Sequence, residues 1–386
     1  MTRNRETTMR NPFSYGSLVA GDQFCNRLQE MAELRKAVDD GLHLFLYGER
    51  RTGKTSLLYR LRDSLPPEDY IIIFVDVWTV DSEEMFAKRC AAAYLTAFER
   101  KPETLLRTAK EWISGLAPEL TVGPDGMPAL TFRSVARGTD AGPLLTEILH
   151  IPRRIAERHP EKQILVVFDE FQRIREFDTG QIERTLRSAV QEQGDIAYIF
   201  CGSRKHLIRE MFLNEESPLF RSAAHFPIGN IGSEHWEPYI VERFRRTGKK
   251  ISSELIRRLV SLSEGHPFYT QMLAHAVWGI VDDTVKPSDI DEAVSILLDR
   301  EQYAYGEMWN ALPLSARNMM RAIVTEAPLT TPYTAEIGKR YELKSPSTAQ
   351  RAIKYLVTND IVENTENGYI VIDRFFRLWV ERRVML

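Results

Sequence analysis

The chain holds 386 residues, 43% of them hydrophobic, with a formal net charge of −3. That length and apolar content suffice for about two or three domains with substantial cores, and the near-neutral charge excludes a global attraction to nucleic acid or anionic lipid, leaving any such contact to a local patch. Cys25, Cys90 and Cys201 are too few and too scattered for a disulfide framework or a metal knuckle, and a reducing compartment fits them best.

Met1 to Asn11 is polar with no apolar core, and no uninterrupted apolar run approaches the roughly 18 residues that span a bilayer. The expectation is a cytoplasmic protein with no membrane contact. The first strong element is the apolar run Leu42 to Tyr47, which feeds Gly48-Glu49-Arg50-Arg51-Thr52-Gly53-Lys54-Thr55 and then Ser56-Leu57-Leu58. This is the pattern of a phosphate-binding loop, with a strand entering and a helix leaving. Gly48 and Gly53 let the loop curl with its backbone N–H groups facing inward, and the following helix points its positive end at the same anion. Lys54 supplies a mobile charge between the β- and γ-phosphates of ATP, and the Thr55 hydroxyl is placed to ligate Mg²⁺. Candidate nucleotide contacts are therefore Gly48, Arg51, Thr52, Gly53, Lys54, Thr55 and Ser56.

Tyr70 to Trp78 reads as a second strand and Asp81 to Phe98 as a helix opened by Asp81 or Ser82. An insertion follows, at about residues 119–133, whose Leu120 to Arg133 segment centred on Gly123-Pro124-Asp125-Gly126 reads as a β-hairpin. Ile164 to Phe168 is an apolar strand suited to burial on both faces, ending in Asp169-Glu170. Asp169 is placed to hold Mg²⁺ through water, and Glu170 to polarise an attacking water as general base. Taken alone, an acidic strand end is equally what solvation produces; the phosphate loop upstream is what gives it a catalytic reading. Gln181 to Gln193 reads as a helix, Ile196 to Ser203 as a fourth strand with a polar tip, and Ala223 to Gly229 as a fifth. Strands alternating with amphipathic helices from about residue 42 to 229 argue for an α/β core: a parallel sheet with helices on both faces.

Beyond Gly229 the pattern is helical. Glu234 to Arg246, Ser252 to Glu264, Tyr269 to Val281 and Asp289 to Leu298 carry apolar residues at three- and four-residue spacing, an all-α lid over residues 231–312. Gly265-His266-Pro267 breaks two of these helices, as a plain helix–helix turn also would. From residue 313 to 386 the order is three helices and a ribbon: Ala316 to Glu326, Tyr333 to Tyr341, Ser347 to Asn359, then Ile361 to Asn364 and Tyr369 to Ile372 joined by Glu366-Asn367-Gly368. This is a winged-helix arrangement. Its third helix carries Ser347, Thr348, Gln350, Arg351 and Lys354, types that touch bases and phosphates, with Gln350, Arg351 and Lys354 the candidate contacts to duplex DNA. From Ser315 onward there are 11 Lys and Arg against 8 Asp and Glu, a mild balance of +3. Packing against the ATPase or a protein partner is the competing reading of this module.

The combination resembles the archaeal-type ATPases of the STAND group, P-loop proteins related to the AAA+ class. The shared segments are Asn11-Pro12-Phe13 with Gly21-Asp22-Gln23-Phe24, the loop Gly48 to Ser56 with its double arginine, and Asp169-Glu170-Phe171-Gln172. Further along come Gly202-Ser203-Arg204-Lys205-His206-Leu207, Pro218-Leu219-Phe220-Arg221, Gly265-His266-Pro267-Phe268-Tyr269 and Asp373-Arg374-Phe375-Phe376-Arg377-Leu378-Trp379. The resemblance implies that Val19, Ala20, Gly21 and Asp22 lie where the family lines its adenine pocket, although Asp22-Gln23 replaces the Arg-Glu of many relatives. It implies a sensor role for Ser203 and Arg204, a nucleotide-closing role for His266 and Pro267, and a position for Arg221 where relatives place an arginine that reaches a neighbouring subunit; a surface arginine with no catalytic task is the alternative.

The expected function is a Mg·ATP-binding ATPase with slow hydrolysis that acts as a conformational switch between a P-loop core (residues 1–230), the lid and the winged helix. The alternative is an ATP-controlled DNA-binding regulator or assembly factor, with nucleotide-dependent self-association or a protein partner. The eight histidines form no zinc spacing with the cysteines, no nucleophile elbow occurs, and a small-molecule kinase would not need the helical tail.

Overall fold

The computed structural model describes residues 10–17, 21–99, 101–123, 128–134, 141–178 and 180–384. It forms two compact units, Arg27–Gly229 and a second made of the segment before Arg27 together with that from Asn230 onward.

In the first unit the elements run α1 (Leu28–Asp39), β1 (Leu44–Tyr47), α2 (Lys54–Ser64), β2 (Tyr70–Asp76), α3 (Glu83–Phe98), α4 (Pro102–Trp112), β3 (Leu116–Val122), β4 (Pro128–Ser134), α5 (Ala141–Leu149), α6 (Ile151–Arg158), β5 (Gln163–Asp169), a 3-10 turn Phe171–Glu176, α7 (Gln181–Glu192), β6 (Ile196–Gly202), α8 (Lys205–Leu213) and β7 (Ala224–Pro227). Five strands form one parallel sheet in the order β2-β5-β6-β1-β7. Parallel neighbours require crossovers, and the helices supply them. Central β6 is buried along its whole length, as a strand covered on both faces must be. One face carries Phe45, Ile73, Phe168 and Phe200, packed with residues of α3, α5, α6, α7 and α8. There Phe168 and Phe200 stack at 5.6 Å, and Phe45 and Phe212 at 4.9 Å. The alternate residues Leu165, Val167 and Ile199 are equally buried and point the other way, where α1 packs on β5 and β6.

Several expected bounds shift for local reasons. The second strand ends at Asp76 rather than Trp78: Asp76 is the last residue in register with β5, and the Trp78 N–H turns back onto the Asp76 carboxylate at 2.9 Å. Ser82, not Asp81, caps α3 by accepting the Met85 N–H. The hairpin is longer than the 119–133 insertion, pairing Leu116 with Ser134, because Pro118 and Pro128 sit in a two-stranded ribbon where no third strand needs their missing N–H groups. Of its central turn, residues 124–126 lie outside the described residues. The fifth strand is only Ala224–Pro227, since β1 offers four residues to pair with. Helices α4, α5 and α6, which bracket the hairpin, were not anticipated.

The second unit continues with α9 (Ser233–Arg246), α10 (Ser253–Ser263), α11 (Pro267–Ile280), α12 (Pro287–Arg300), α13 (Gln302–Ala311), α14 (Leu314–Glu326), α15 (Ala335–Arg340), α16 (Pro346–Thr358), β8 (Val362–Thr365), β9 (Gly368–Val371) and α17 (Arg374–Arg383). Elements α14 to β9 make the winged helix, and a single antiparallel bridge ties Leu329 to Tyr369 of the two-stranded ribbon. Helices α13 and α17 are additions to the expected set; Tyr305 on α13 packs at a tilt against Phe376 and Trp379 of α17. One continuous apolar core joins Trp236, Leu273 and Leu297 to Met319, Leu356, Phe375 and Trp379. The segment before Arg27 belongs to it: Phe13 packs on Phe244, and the Asn11 amide donates to the His275 carbonyl at 3.0 Å.

The break between α10 and α11 has a clear cause. Glu264 and Gly265 both take left-handed backbone, and a Cβ on Gly265 would lie 2.2 Å from the Ile231 carbonyl oxygen, so only glycine fits. Pro267 then opens α11 at its first position. Both oxygens of Glu264 are taken by α17: Oε2 accepts from Arg374 Nε at 3.0 Å and Oε1 pairs with Arg377 Nη1 at 2.8 Å. Arg374 is only 2% exposed, so its buried charge is offset in part by that carboxylate.

Candidate nucleotide-binding site

At the carboxyl ends of β1, β5 and β6 the sheet brings together the loop, the two carboxylates and Ser203. β1 runs straight into the loop at Gly48, where a Cβ would lie 2.4 Å from the Ile228 carbonyl oxygen. Glycine is required there by contact and at Gly53 by its φ of +87°. Arg51 is exposed with a left-handed φ of +61°, which helps the loop curl. Thr52 Oγ1 closes the turn by donating to the Glu49 carbonyl at 2.8 Å. Lys54 starts α2, is buried, and donates from Nζ to the carbonyls of Glu49 at 2.6 Å and Gly48 at 3.1 Å. Burial pushes its ammonium below the usual lysine range, opposed by the carboxylates of Glu170 and Asp169. A group in that position is stabilised by any further negative charge, and a phosphate supplies it.

Thr55 Oγ1 donates to Asp169 Oδ2 at 2.8 Å, so the helix and strand ends already share a pair of hard oxygen donors. Glu170 follows in left-handed backbone at φ 52°, its N–H donating to Asp169 Oδ1 at 2.9 Å. Its Oε2 accepts from Ser203 Oγ at 2.8 Å and from Gln172 Nε2 at 2.5 Å. Among the described residues no group of three or more His, Cys, Asp or Glu could hold a metal by itself. Mg²⁺ does not ask for one; it takes one or two protein oxygens and completes its shell with phosphate and water, which the Thr55–Asp169 pair fits.

The other expected site residues have the following local settings. Arg204 pairs with Glu176 at 3.3 Å, and its neighbour Lys205 with Glu49 at 3.5 Å. Arg221 is exposed in left-handed backbone over the Phe220 ring, just ahead of β7. Ser56 is buried in the first turn of α2. Gly21, His266 and Pro267 belong to the second unit, where His266 is buried and its ring lies 4.8 Å from Tyr269. Val19 and Ala20 lie outside the described residues. On α16, Ser347, Gln350, Arg351 and Lys354 are exposed and Thr348 is half-buried. No helix among the described residues is long and apolar enough to cross a membrane.

Residues 24–273 match the family model described as "ATPase domain predominantly from Archaea", and residues 303–382 that of "Probable winged helix domain". The chain belongs to this archaeal-type ATPase family. Among curated proteins nothing matches. Among solved structures, the Walker-type ATPase PABY2304 of Pyrococcus abyssi is similar at a TM-score of 0.63 and 16% identity, covering 93% of this chain and 97% of that one. The Aeropyrum pernix ORC2 protein, solved in ADPNP–ADP complexes, is similar at a TM-score of 0.52 and 14% identity, covering 97% of each chain. At those identities the likeness is one of fold.

Two residues of the candidate site have no role assigned from the sequence. Gln172 was visible only as part of a shared segment. Cys201 lies one strand over from Asp169 and hydrogen-bonds its carboxylate, its thiol pushed well up by burial. Burial raises the Asp169 carboxyl above its ordinary range, while the bonds from Thr55 and Cys201 pull it down. An acid whose folded pKa exceeds its unfolded one costs the fold stability as pH climbs through that interval, so the ionised carboxylate is destabilising at neutral pH. Asp169→Asn, which keeps an oxygen for the Glu170 N–H and can donate its amide to the Thr55 hydroxyl oxygen, is expected to raise the thermal unfolding midpoint near neutral pH, with the gain disappearing below the ordinary carboxylate range. Calorimetric scans across pH check this; a lowered midpoint at neutral pH contradicts it.

Proposed function

We propose that this ATPase binds Mg·ATP on the loop Gly48–Ser56 and hydrolyses it slowly, in the manner of a STAND-group switch. The observation that carries the reading is the convergence of buried Lys54, the Thr55–Asp169 pair and the restrained Glu170 carboxylate at one end of the sheet. Loop amides and Lys54 hold the triphosphate, and Thr55 with Asp169 provides for Mg²⁺. The metal, when bound, neutralises charge on the phosphate oxygens. Glu170 takes a proton from the attacking water as its oxygen bonds to the γ-phosphorus and the bond to the bridging oxygen breaks, leaving ADP and phosphate. Ser203 and Arg204 are read as sensors of the γ-phosphate, His266 and Pro267 as contacts of the lid region, Gly21 with Val19 and Ala20 as the adenine side, and Arg221 as a residue for a neighbouring copy.

A switch needs nucleotide state to reach another surface. Within the second unit, Glu264 ties the turn at Gly265–Pro267 directly to α17 of the winged-helix region, and Tyr269 stacks on Phe375 at 5.8 Å. A shift at that turn therefore moves the winged helix with it. The exposed Gln350, Arg351 and Lys354 on α16 favour duplex DNA as the partner so presented. Solution scattering with Mg·ATP and with Mg·ADP, each with and without duplex DNA, tests the reading. Different profiles for the two nucleotides are expected; identical profiles contradict the switch, and a DNA-dependent rise in mass that fades with added salt identifies the partner.

A further inference from the structure

We infer that Gln172 is a positioning residue for the Glu170 carboxylate, an assignment that rests on the reading of Glu170 as general base. Gln172 sits two residues after Glu170, in the 3-10 segment, and is 1% exposed. Its amide nitrogen must be the atom facing Glu170, because a carboxylate only accepts; Nε2 donates to Oε2 at 2.5 Å. Ser203 Oγ donates to the same oxygen at 2.8 Å. Two donors of different origin, one from the turn after β5 and one from the end of β6, thus converge on Oε2. They set the rotation of the carboxylate and leave Oε1 as the oxygen without these donors.

The other end of the amide shows that packing alone does not explain the residue. Gln172 Oε1 is buried with no hydrogen-bond partner among the described residues. A methionine would fill the same volume without leaving an acceptor unpaired. Gly202 makes the room: a Cβ there would lie 2.5 Å from Gln172 Oε1. Glycine at the end of β6 and glutamine in the turn after β5 therefore serve one arrangement, whose product is a fixed Glu170 carboxylate. Glu170 itself is in left-handed backbone, which side chains rarely adopt and which the surrounding bonds must maintain.

A misplaced base loses rate and not substrate. Gln172→Met preserves volume and removes the donor, and is expected to lower kcat about tenfold with the KM for ATP unchanged and the unfolding midpoint at or above that of the natural protein. The same change in a Glu170→Gln background, followed by single-turnover phosphate release, is expected to cost nothing further, since the group it positions no longer acts as a base. Natural turnover in Gln172→Met, or an equal fractional loss in both backgrounds, overturns the inference alone. Full turnover in Glu170→Gln by itself overturns the reading of Glu170, and this inference with it.

Discussion

Lys54→Ala is expected to weaken Mg·ATP binding about a hundredfold, the largest effect on affinity of any single change. A charge-assisted bond to a phosphate oxygen contributes about 1.5–3 kcal/mol, and each 1.4 kcal/mol is about tenfold in the dissociation constant. The buried setting places Lys54 toward the upper end, because its ammonium has already lost water and its hydrogen bonds among the described residues go to neutral groups, the carbonyls of Gly48 and Glu49 and the Thr52 hydroxyl. A phosphate adds the full negative charge that burial leaves wanting. Alanine removes that attraction and frees the two loop carbonyls. Titration calorimetry of each protein with Mg·ATP checks this, and equal affinity for both would place the nucleotide elsewhere.

The largest effect on rate is expected from Glu170→Gln. The amide has the shape of the carboxylate and still has an oxygen for the donors Ser203 and Gln172, so the local fold should persist. It cannot take a proton. General-base catalysis is worth about 10²- to 10⁴-fold, so phosphate release at saturating ATP should fall at least about 10²-fold while ATP affinity holds. Paired with Lys54→Ala, this separates binding from chemistry: one variant loses the ligand, the other keeps it and stalls. Affinity lost along with rate in Glu170→Gln would make that residue a binding group and not a base.

The parts of the site legible in the sequence are those whose chemistry is local. Gly48, Gly53, Lys54 and Thr55 sit within eight residues, and the strand Ile164–Phe168 announces its burial by unbroken apolarity and its end by two carboxylates. Their meeting, seen in the Thr55–Asp169 bond, follows once both lie at the carboxyl ends of parallel strands. What periodicity cannot reveal is which strands are neighbours. The placement of β1 between β6 and β7 decides that Gly48 needs no side chain, since the obstructing carbonyl comes from Ile228. Gln172 was opaque for the same reason: its space is cleared by Gly202, thirty residues on.

In the second unit the winged helix was legible from its three helices and the Asn367-Gly368 turn, with Gly368 at φ +120° and too close to the Leu329 carbonyl for any side chain. Helices α13 and α17 were not, because Tyr305, Trp309, Phe376 and Trp379 are aromatic neighbours across the fold and give little spacing signal along the chain. Nor does any pattern in the first 26 residues announce that Phe13 and Cys25 complete a core formed more than 200 residues later.

The most direct test of a single Mg·ATP site is the crystal structure of Glu170→Gln with Mg·ATP. The expected result is one nucleotide per chain, its phosphates against the amides of Gly48–Thr55, Lys54 on the β- and γ-oxygens, and the metal beside Thr55 with Asp169 in its water shell. A nucleotide bound away from Lys54, or a metal with no route to Asp169, would contradict the account.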